Sequence, residues 1–425
     1  MTKKWGLIGV LTFGMYAVAM YLYFFHSQNS GIPASLKGTV ADPSSFMTAQ
    51  ELVLSNDLSR IRNFLFFVAK PFEWFLYFVI LITGISQMFE KWSPAQKKWA
   101  IWRNAVYLFL LSVLLFIVQF PLDYYSYTVS KSYGISTQVF SSWMRDNVIG
   151  FWLDLGLTLV MVTVLYWLLK KSTKRWWLYA WALTVPFSIF LMFIQPVVID
   201  PIYNDFYPLK DKELEEKILS LAEQADIPSE HVYEVNMAEK TNALNAYVTG
   251  IGGNSRIVLW DTTLNRLSDG EILFIMAHEM GHYVMKDIYI GIAEYLLTTL
   301  IGLWLIAKIM PWMIQRYGSV LKIKQMSNIN SLPLFLLISS FLLFFSSPLS
   351  NAISRYQEVR ADEYAMELVE DPEAAVSTFQ QLTKAGLGEV NPSALVKWFR
   401  YSHPPMLERI NKVAEQTEEE KISNK

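Results

Sequence analysis

Residues 274–285 read FIMAHEMGHYVM: two histidines four positions apart, with a glutamate after the first, inside an otherwise apolar run. In an α-helix, positions i and i+4 share a face, so His278 and His282 can turn both imidazoles toward one metal ion. Glu279 sits beside them, placed to handle a proton. Upstream, Ser268 and Glu271 have the spacing of a capping box, which predicts the start of a helix that carries the motif. Gly281 weakens a helix, but a small residue there lets a neighbouring segment come close.

The surroundings of this run are apolar throughout. Of 425 residues, 53% are hydrophobic and only 17% charged, and the mean hydropathy is +0.26. Stretches of about 20 apolar residues are long enough to cross a bilayer core. They fall at 5–25, 71–89, 105–125, 151–169, 176–199, 288–309 and 332–353. Trp and Tyr crowd their ends, as at Trp5, Trp92, Trp102, Trp176 and Trp312. Pro71 stands where the second span is expected to begin, a position that tolerates proline. The amino-terminal run resembles a signal peptide but continues through Phe25 and is expected to remain as the first span. The chain therefore reads as a polytopic membrane protein.

Two stretches look soluble, 200–287 and 354–425. The first contains an amphipathic helix with Leu214, Ile218, Leu221 and Ala225 in register, then strands near 231–237 and 255–261. A turn-rich segment with NALNAY and GIGGN separates the strands. The expected division is five spans in 1–199, a catalytic segment in 200–287, a two-span hairpin in 288–353 and a helical end in 354–425. Two intervening spans return the chain to the side it left, so both soluble parts face one compartment. The tail from Glu415 onward is polar and expected to be solvated and frayed.

Charge and composition narrow the chemistry. A net charge of −2 gives no reason to expect nucleic-acid binding, and the absence of cysteine removes thiol nucleophiles and cysteine metal sites. HExxH on a helix is the zinc-protease arrangement, and a catalytic zinc normally takes a third protein ligand. Of the other histidines, His26 reads as interfacial and His231 as a surface residue, while His403 precedes two prolines. A carboxylate is the better third ligand. Glu358 in SRYQEVRADEYAMEL shares a helix face with Arg355 and Asp362. Spacing alone leaves it open whether that face meets a metal or is a solvated charged surface.

HEMGH, then a two-span hairpin, then SRYQEVRADEYA resembles the type I CAAX prenyl endopeptidases, integral-membrane zinc metalloproteases. The resemblance extends to QFPLDYYSYTVSKSYGIS (119–136), IQPVVIDPIYNDFYPL (194–209), NAYVTGIGGNSRIVLWDTTL (245–264) and YSHPPMLERI (401–410). It implies an α-helical membrane protein whose seven spans form a barrel around a chamber, with a mainly helical metalloprotease domain carrying a small β-sheet. It assigns one zinc per chain to His278, His282 and Glu358, and water activation to Glu279. The resemblance also assigns stabilisation of the tetrahedral intermediate to His403. Asn245, Ala246 and Tyr247 open an edge strand that holds the peptide extended. Asp362 acts behind the ligands, and Arg409 is expected to pair with it. The expected substrates are peptides or proteins, either prenylated at the C-terminus or membrane-quality-control targets, met in contact with membrane lipid. Asp123 and Asp154 lie in or near spans, where a water-filled barrel would solvate them. A seven-span transporter or receptor with the histidines as an ion site is the rival reading. It leaves the strand-bearing insert before HEMGH without a purpose.

Orientation draws opposite expectations. The amino terminus and the loops near 90–104, 170–175 and 310–331 share one side and carry thirteen Lys and Arg, against six in the short loops opposite. The positive-inside rule thus puts the catalytic segments outside the cytoplasm. The eukaryotic enzymes resembled here have their catalytic side in the cytosol, and that placement is the expectation adopted.

Overall fold

A computed structural model describes residues 2–27, 31–94, 100–228, 231–249 and 256–423. The 250–254 GIGGN segment and the loop residues Lys97 and Lys98 lie outside the described residues. The first helices are α1 (Thr2–His26), α2 (Ala49–Thr83), α3 (Ile85–Trp92), α4 (Ala100–Ser132), α5 (Phe140–Lys171) and α6 (Trp176–Ile194). A π-helical turn, Gln195–Ile199, joins α6 to the short α7 (Asp200–Tyr203). After a mixed segment come α10 (Asp269–Val284), α11 (Asp287–Leu321), α12 (Leu332–Val369), α13 (Pro372–Gly386), α14 (Ala394–Arg400) and α15 (Met406–Ser423).

Seven of these helical segments are long and apolar enough to cross a membrane: α1, α2, α4, α5, α6 with α7, α11 and α12. Their order of packing closes on itself. α2 packs on α4, α4 on α5, α5 on α6, α6 on α11, α11 on α12, and α12 on α2 again. The first span, α1, runs along α2, and its Trp5 meets Tyr317 of α11 edge-to-face. Large apolar side chains such as Leu11, Met15, Val160 and Phe193 remain exposed around this ring. Outward apolar side chains on spans of this length are what lipid requires.

The second span departs from its expected limits. It begins at a Thr48–Glu51 capping box and ends at Gly84, so Pro71 lies inside the helix rather than at its start. Proline lacks the N–H that would bond the carbonyl four residues back. That carbonyl, on Phe67, instead accepts a 2.8 Å hydrogen bond from the Tyr16 hydroxyl of α1. Gly84 (φ 86°) breaks the helix where Lys322 presses in, its Nζ donating to Thr83 O at 2.8 Å. A Cβ at Gly84 would stand 2.7 Å from that same Nζ.

The mixed segment holds β1 (Phe206–Pro208), α8 (Lys212–Gln224), β2 (Val232–Val235), β3 (Ala246–Thr249), β4 (Arg256–Trp260) and α9 (Asp261–Arg266). The strands order as β1-β2-β4-β3. β2 and β4 are parallel, and both outer pairs are antiparallel. β1 and β3 are thus the edges; the resemblance had already placed an edge strand from Asn245, whereas β1 carried no separate signal in the sequence. Leu214, Ile218 and Leu221 of α8 bury with Val232, Ile257 and Leu259 in one core. Helices α10, α13 and α15 contribute Met276, Phe379 and Ile410 to it, so the two soluble stretches form a single body. A separate cluster, with Leu81, Leu169, Trp176, Leu321 and Leu332, gathers the opposite ends of the spans. The expected frayed tail is instead α15 through Ser423. Its run of Glu, Gln and Lys consists of good helix formers.

Candidate metal centre

Ser268 caps α10: its Oγ accepts from Glu271 N–H, and Glu271 Oε2 accepts from Ser268 N–H at 2.7 Å. Glu271 also accepts from Ser377 Oγ of α13 at 2.5 Å, fixing the helix start against its neighbour. Phe274 meets Phe379 edge-to-face at 5.5 Å. Three turns on, His278 and His282 share the face that packs on α12. The approach is close because Gly281 has no side chain; a Cβ there would lie 3.3 Å from the Cα of Ala361.

Helix α12 spans 38 residues, about 57 Å at 1.5 Å per residue. That is nearly twice a bilayer core. Its last turns therefore reach past the membrane and bring Glu358 to the histidines. The Nε2 atoms of His278 and His282 are 3.2 Å apart. His278 Nε2 lies 3.2 Å from Glu358 Oε2, and His282 Nε2 lies 3.3 Å from Glu358 Oε1. Ligand bonds of 2.0–2.1 Å in a tetrahedron put neighbouring donor atoms about 3.3 Å apart, the spacing found between the two Nε2 atoms and from each of them to one oxygen of Glu358. Glu358 Oε2 is buried without a hydrogen-bond partner, a lone pair held ready for a cation.

Each histidine is backed by a carboxylate. His278 Nδ1 is 2.9 Å from Asp362 Oδ1, at ion-pair distance though too bent for a good hydrogen bond. His282 Nδ1 is 2.8 Å from Asp287 Oδ2. Such partners hold the proton on Nδ1 and leave Nε2 as the donor to metal. Asp362 is held in turn by Arg409, whose Nε and Nη2 donate at 2.8 and 2.5 Å to its two oxygens. Arg360 approaches Asp287 at 3.9 Å. With Glu279 and Glu358, four carboxylates face two guanidinium groups, a charge balance suited to a divalent cation. The protonation behaviour agrees. Burial opposes charge on His278, yet Asp362 and Glu358 outweigh it and hold its pKa at about 10. Burial likewise opposes charge on His282, and Glu358 and Asp287 raise it regardless. The pocket attracts positive charge.

Asp287 was not anticipated. It lies outside the HExxH spacing, and only Lys286 makes it a neighbour of His282. Lys286 takes the left-handed conformation (φ 58°), stops α10, and lets α11 start with a buried aspartate. The signal available was an aspartate five residues after the second histidine, which without the turn means nothing.

A cleft of about 490 Å³ opens on this cluster, lined by Asn245, Ala246, His278, Glu279, Arg400 and His403 among others. Glu279 is half-buried, and loss of solvent raises its pKa, against the pull of the two histidines. His403 Nε2 is 3.3 Å from Glu358 Oε1. Its side chain keeps 56% of its surface open to the cleft, yet enough protein surrounds it that desolvation lowers its pKa. β3 forms one wall with its first residue, Ala246, preceded by Asn245. Tyr247 does not join them. It lines a second cavity of about 550 Å³ with Asp200, Arg256 and Trp260, on the other face of the strand. That cavity is the larger, but His278, His282 and Glu358 do not line it. Side chains alternate along a strand, so three consecutive residues cannot all face one cleft. Asp123 and Asp154 sit in α4 and α5 and line neither cavity.

Comparison with known proteins gives a consistent result. Residues 208–417 match Peptidase family M48, and residues 22–205 match the five membrane helices described as CAAX prenyl protease N-terminal. An uncharacterized metalloprotease, YhfN of Bacillus subtilis, is 54% identical over 96% of each chain. CAAX prenyl protease 1 of Saccharomyces cerevisiae is 30% identical over 72% of this chain and 71% of its own. A crystal structure of S. mikatae Ste24p superimposes with a TM-score of 0.78, covering 96% of this chain and 97% of that one at 22% identity.

Proposed function

Because the chain belongs to the M48 peptidases that carry the CAAX prenyl protease membrane domain, we propose that it is a zinc-dependent endopeptidase cutting near the C-termini of membrane-associated substrates. Membership makes it a multi-pass membrane metalloprotease acting on peptides or proteins, which removes the transporter reading. One observation carries the zinc assignment: His278, His282 and Glu358 bring one ligand atom each within 4.8 Å of one another, the two Nε2 atoms 3.2 Å apart and each 3.2–3.3 Å from one of the two Glu358 oxygens. A zinc ion held by His278, His282 and Glu358 would supply Lewis-acid chemistry, polarising the scissile carbonyl and making water more acidic.

The chain's own groups do the remaining work. Glu279 takes the proton of the attacking water and delivers it to the leaving nitrogen. Burial raises its pKa above the usual carboxylate value, which suits a group that must both take and return a proton. Desolvation favours the neutral form of His403, and its imidazole N–H donates to the carbonyl oxygen as charge develops there. The β3 edge offers backbone groups to an extended peptide. Arg409 and Asp362 keep His278 aimed.

The substrate reading is CAAX-type processing, after a prenylated cysteine near the C-terminus, supported by the relatives' names. Contact with membrane lipid and a cytoplasmic catalytic face go with that reading. Purified protein is expected to contain one zinc per chain and to hydrolyse peptide. Activity should vanish on chelation and return with zinc. Hydrolysis that survives complete metal removal would refute the zinc assignment. Proteomes of cells carrying Glu279→Gln, compared with cells carrying the native protein, would reveal the natural substrates.

A further inference from the structure

The cleft also has a basic wall. Arg400, the last residue of α14, lines the same cavity as His278 and Glu279. Its Nη1 donates to Asn63 Oδ1 of α2, and Asn63 Nδ2 donates onward to Glu389 Oε2 at 3.1 Å. Arg62, one residue before Asn63, donates from Nη1 to Gly386 O at 3.4 Å, another wall residue of the cleft. Arg60 borders a pocket of about 140 Å³ with Asn63 and Glu389, and its Nε is buried without a partner.

These charges do not balance. Among the described residues, none of the three guanidinium groups has a carboxylate within the 4.0 Å ion-pair distance. Glu389 hydrogen-bonds Asn63 and attracts Arg400 and Arg60 only from beyond contact distance, while burial raises its pKa. Burial lowers the pKa of Arg400, but a guanidinium stays protonated in proteins. At least two positive charges are thus in surplus in a half-buried place, an arrangement favourable only when an anion completes it. The cleft's own occupant can bring one, since arginine is the side chain best shaped to grip a carboxylate.

We propose that Arg400, backed by Arg62, is a specificity-determining residue that binds the free C-terminal carboxylate of the substrate. The enzyme would then measure its cut from the chain end. This rests on reading the cleft as the peptidase site. An acidic side chain offers the same chemistry, so the test separates the two.

The experiment uses the full-length zinc-loaded protein in detergent and one S-farnesylated peptide, its cysteine fourth from the end. The peptide is made as the free acid, as the C-terminal amide, and as an amide ending in aspartate. The wild type is expected to favour the free acid over the plain amide by about tenfold or more in kcat/KM, mostly through KM. Arg400→Gln should collapse that ratio toward one, and Arg400→Lys should keep part of it. Equal cleavage of acid and amide by the wild type overturns the inference while leaving the protease reading intact. An aspartate-ended amide cut as well as the free acid overturns the terminal-carboxylate assignment in favour of side-chain recognition. Failure to cut any of the three overturns the processing reading and the inference with it. The wild-type comparison decides the matter even where a variant fails to fold.

Discussion

At the scale of single residues, Glu279 and the carboxylates around it have separable jobs. Glu279 contributes a base but no ligand, so Glu279→Gln should lower kcat by roughly 10²–10⁴-fold while zinc content stays at the wild-type level. Activity within tenfold of wild type would remove it from the base role. Glu358 touches both histidine Nε2 atoms, whereas Asp362 and Asp287 act from behind them. Glu358→Ala should therefore empty the site on dialysis. Asp287→Ala should only weaken zinc binding, by about 10- to 100-fold, read by competition with a fluorescent chelator. Asp287→Ala that binds zinc as tightly as wild type would make its contact with His282 incidental. Asp362 is the harder case. Removing it leaves the buried Arg409 with only a 3.8 Å contact to Glu358, and breaking a buried pair costs up to about 3–5 kcal/mol. Stability must be measured beside metal content for that variant.

Among the elements, α10 and α12 decide whether the site exists. Their separation is set at Gly281, where Ala361 and Tyr364 of α12 fill the space a side chain would need. Gly281→Leu should force the two helices apart. An overpacked core loses about 1–3 kcal/mol, and Glu358 would withdraw from the histidines. The expected outcome is a lower unfolding temperature with at least tenfold weaker zinc binding. A variant that unfolds earlier yet binds zinc normally would show that the helices can part without moving the ligands. The same pair explains why Glu358 was hard to place from spacing alone. It lies 76 residues beyond His282 in the chain, and only the bundle brings them together.

For the whole molecule, the ring of spans fixes two poles. One gathers the loops around Leu169, Trp176 and Leu321, and the other carries the sheet and the metal cluster. Which pole faces the cytoplasm is the question on which loop charge and family resemblance part. The chain has no cysteine, so a single introduced thiol reports its own side. With a cytoplasmic catalytic pole, Thr173→Cys in intact cells should react with an impermeant maleimide and Ser423→Cys should not. Labelling of Ser423→Cys alone would reverse the proposed topology and place proteolysis outside.

Local patterns carried much of this protein. The 20-residue apolar runs revealed the spans because lipid demands them wherever they occur. The Ser268–Glu271 cap, the i, i+4 histidines and the apolar stripe of α8 are set within a few residues of chain. Where two elements negotiate, the sequence was silent or misleading. Pro71 reads as a helix start, yet it sits inside α2 because Tyr16, on another helix, takes the carbonyl it frees. The edge strand at β3 was expected, but that Asn245 and Tyr247 line different cavities showed only once β4 lay beside it. Asp287 reached His282 through one left-handed residue, and Arg400 met Asn63 across 337 residues of chain. Hydropathy and helix spacing are properties of neighbouring residues, so the sequence determined the spans and the histidine pair. Ligand triangles and charge surpluses are distances between remote groups, and only the packed chain sets those.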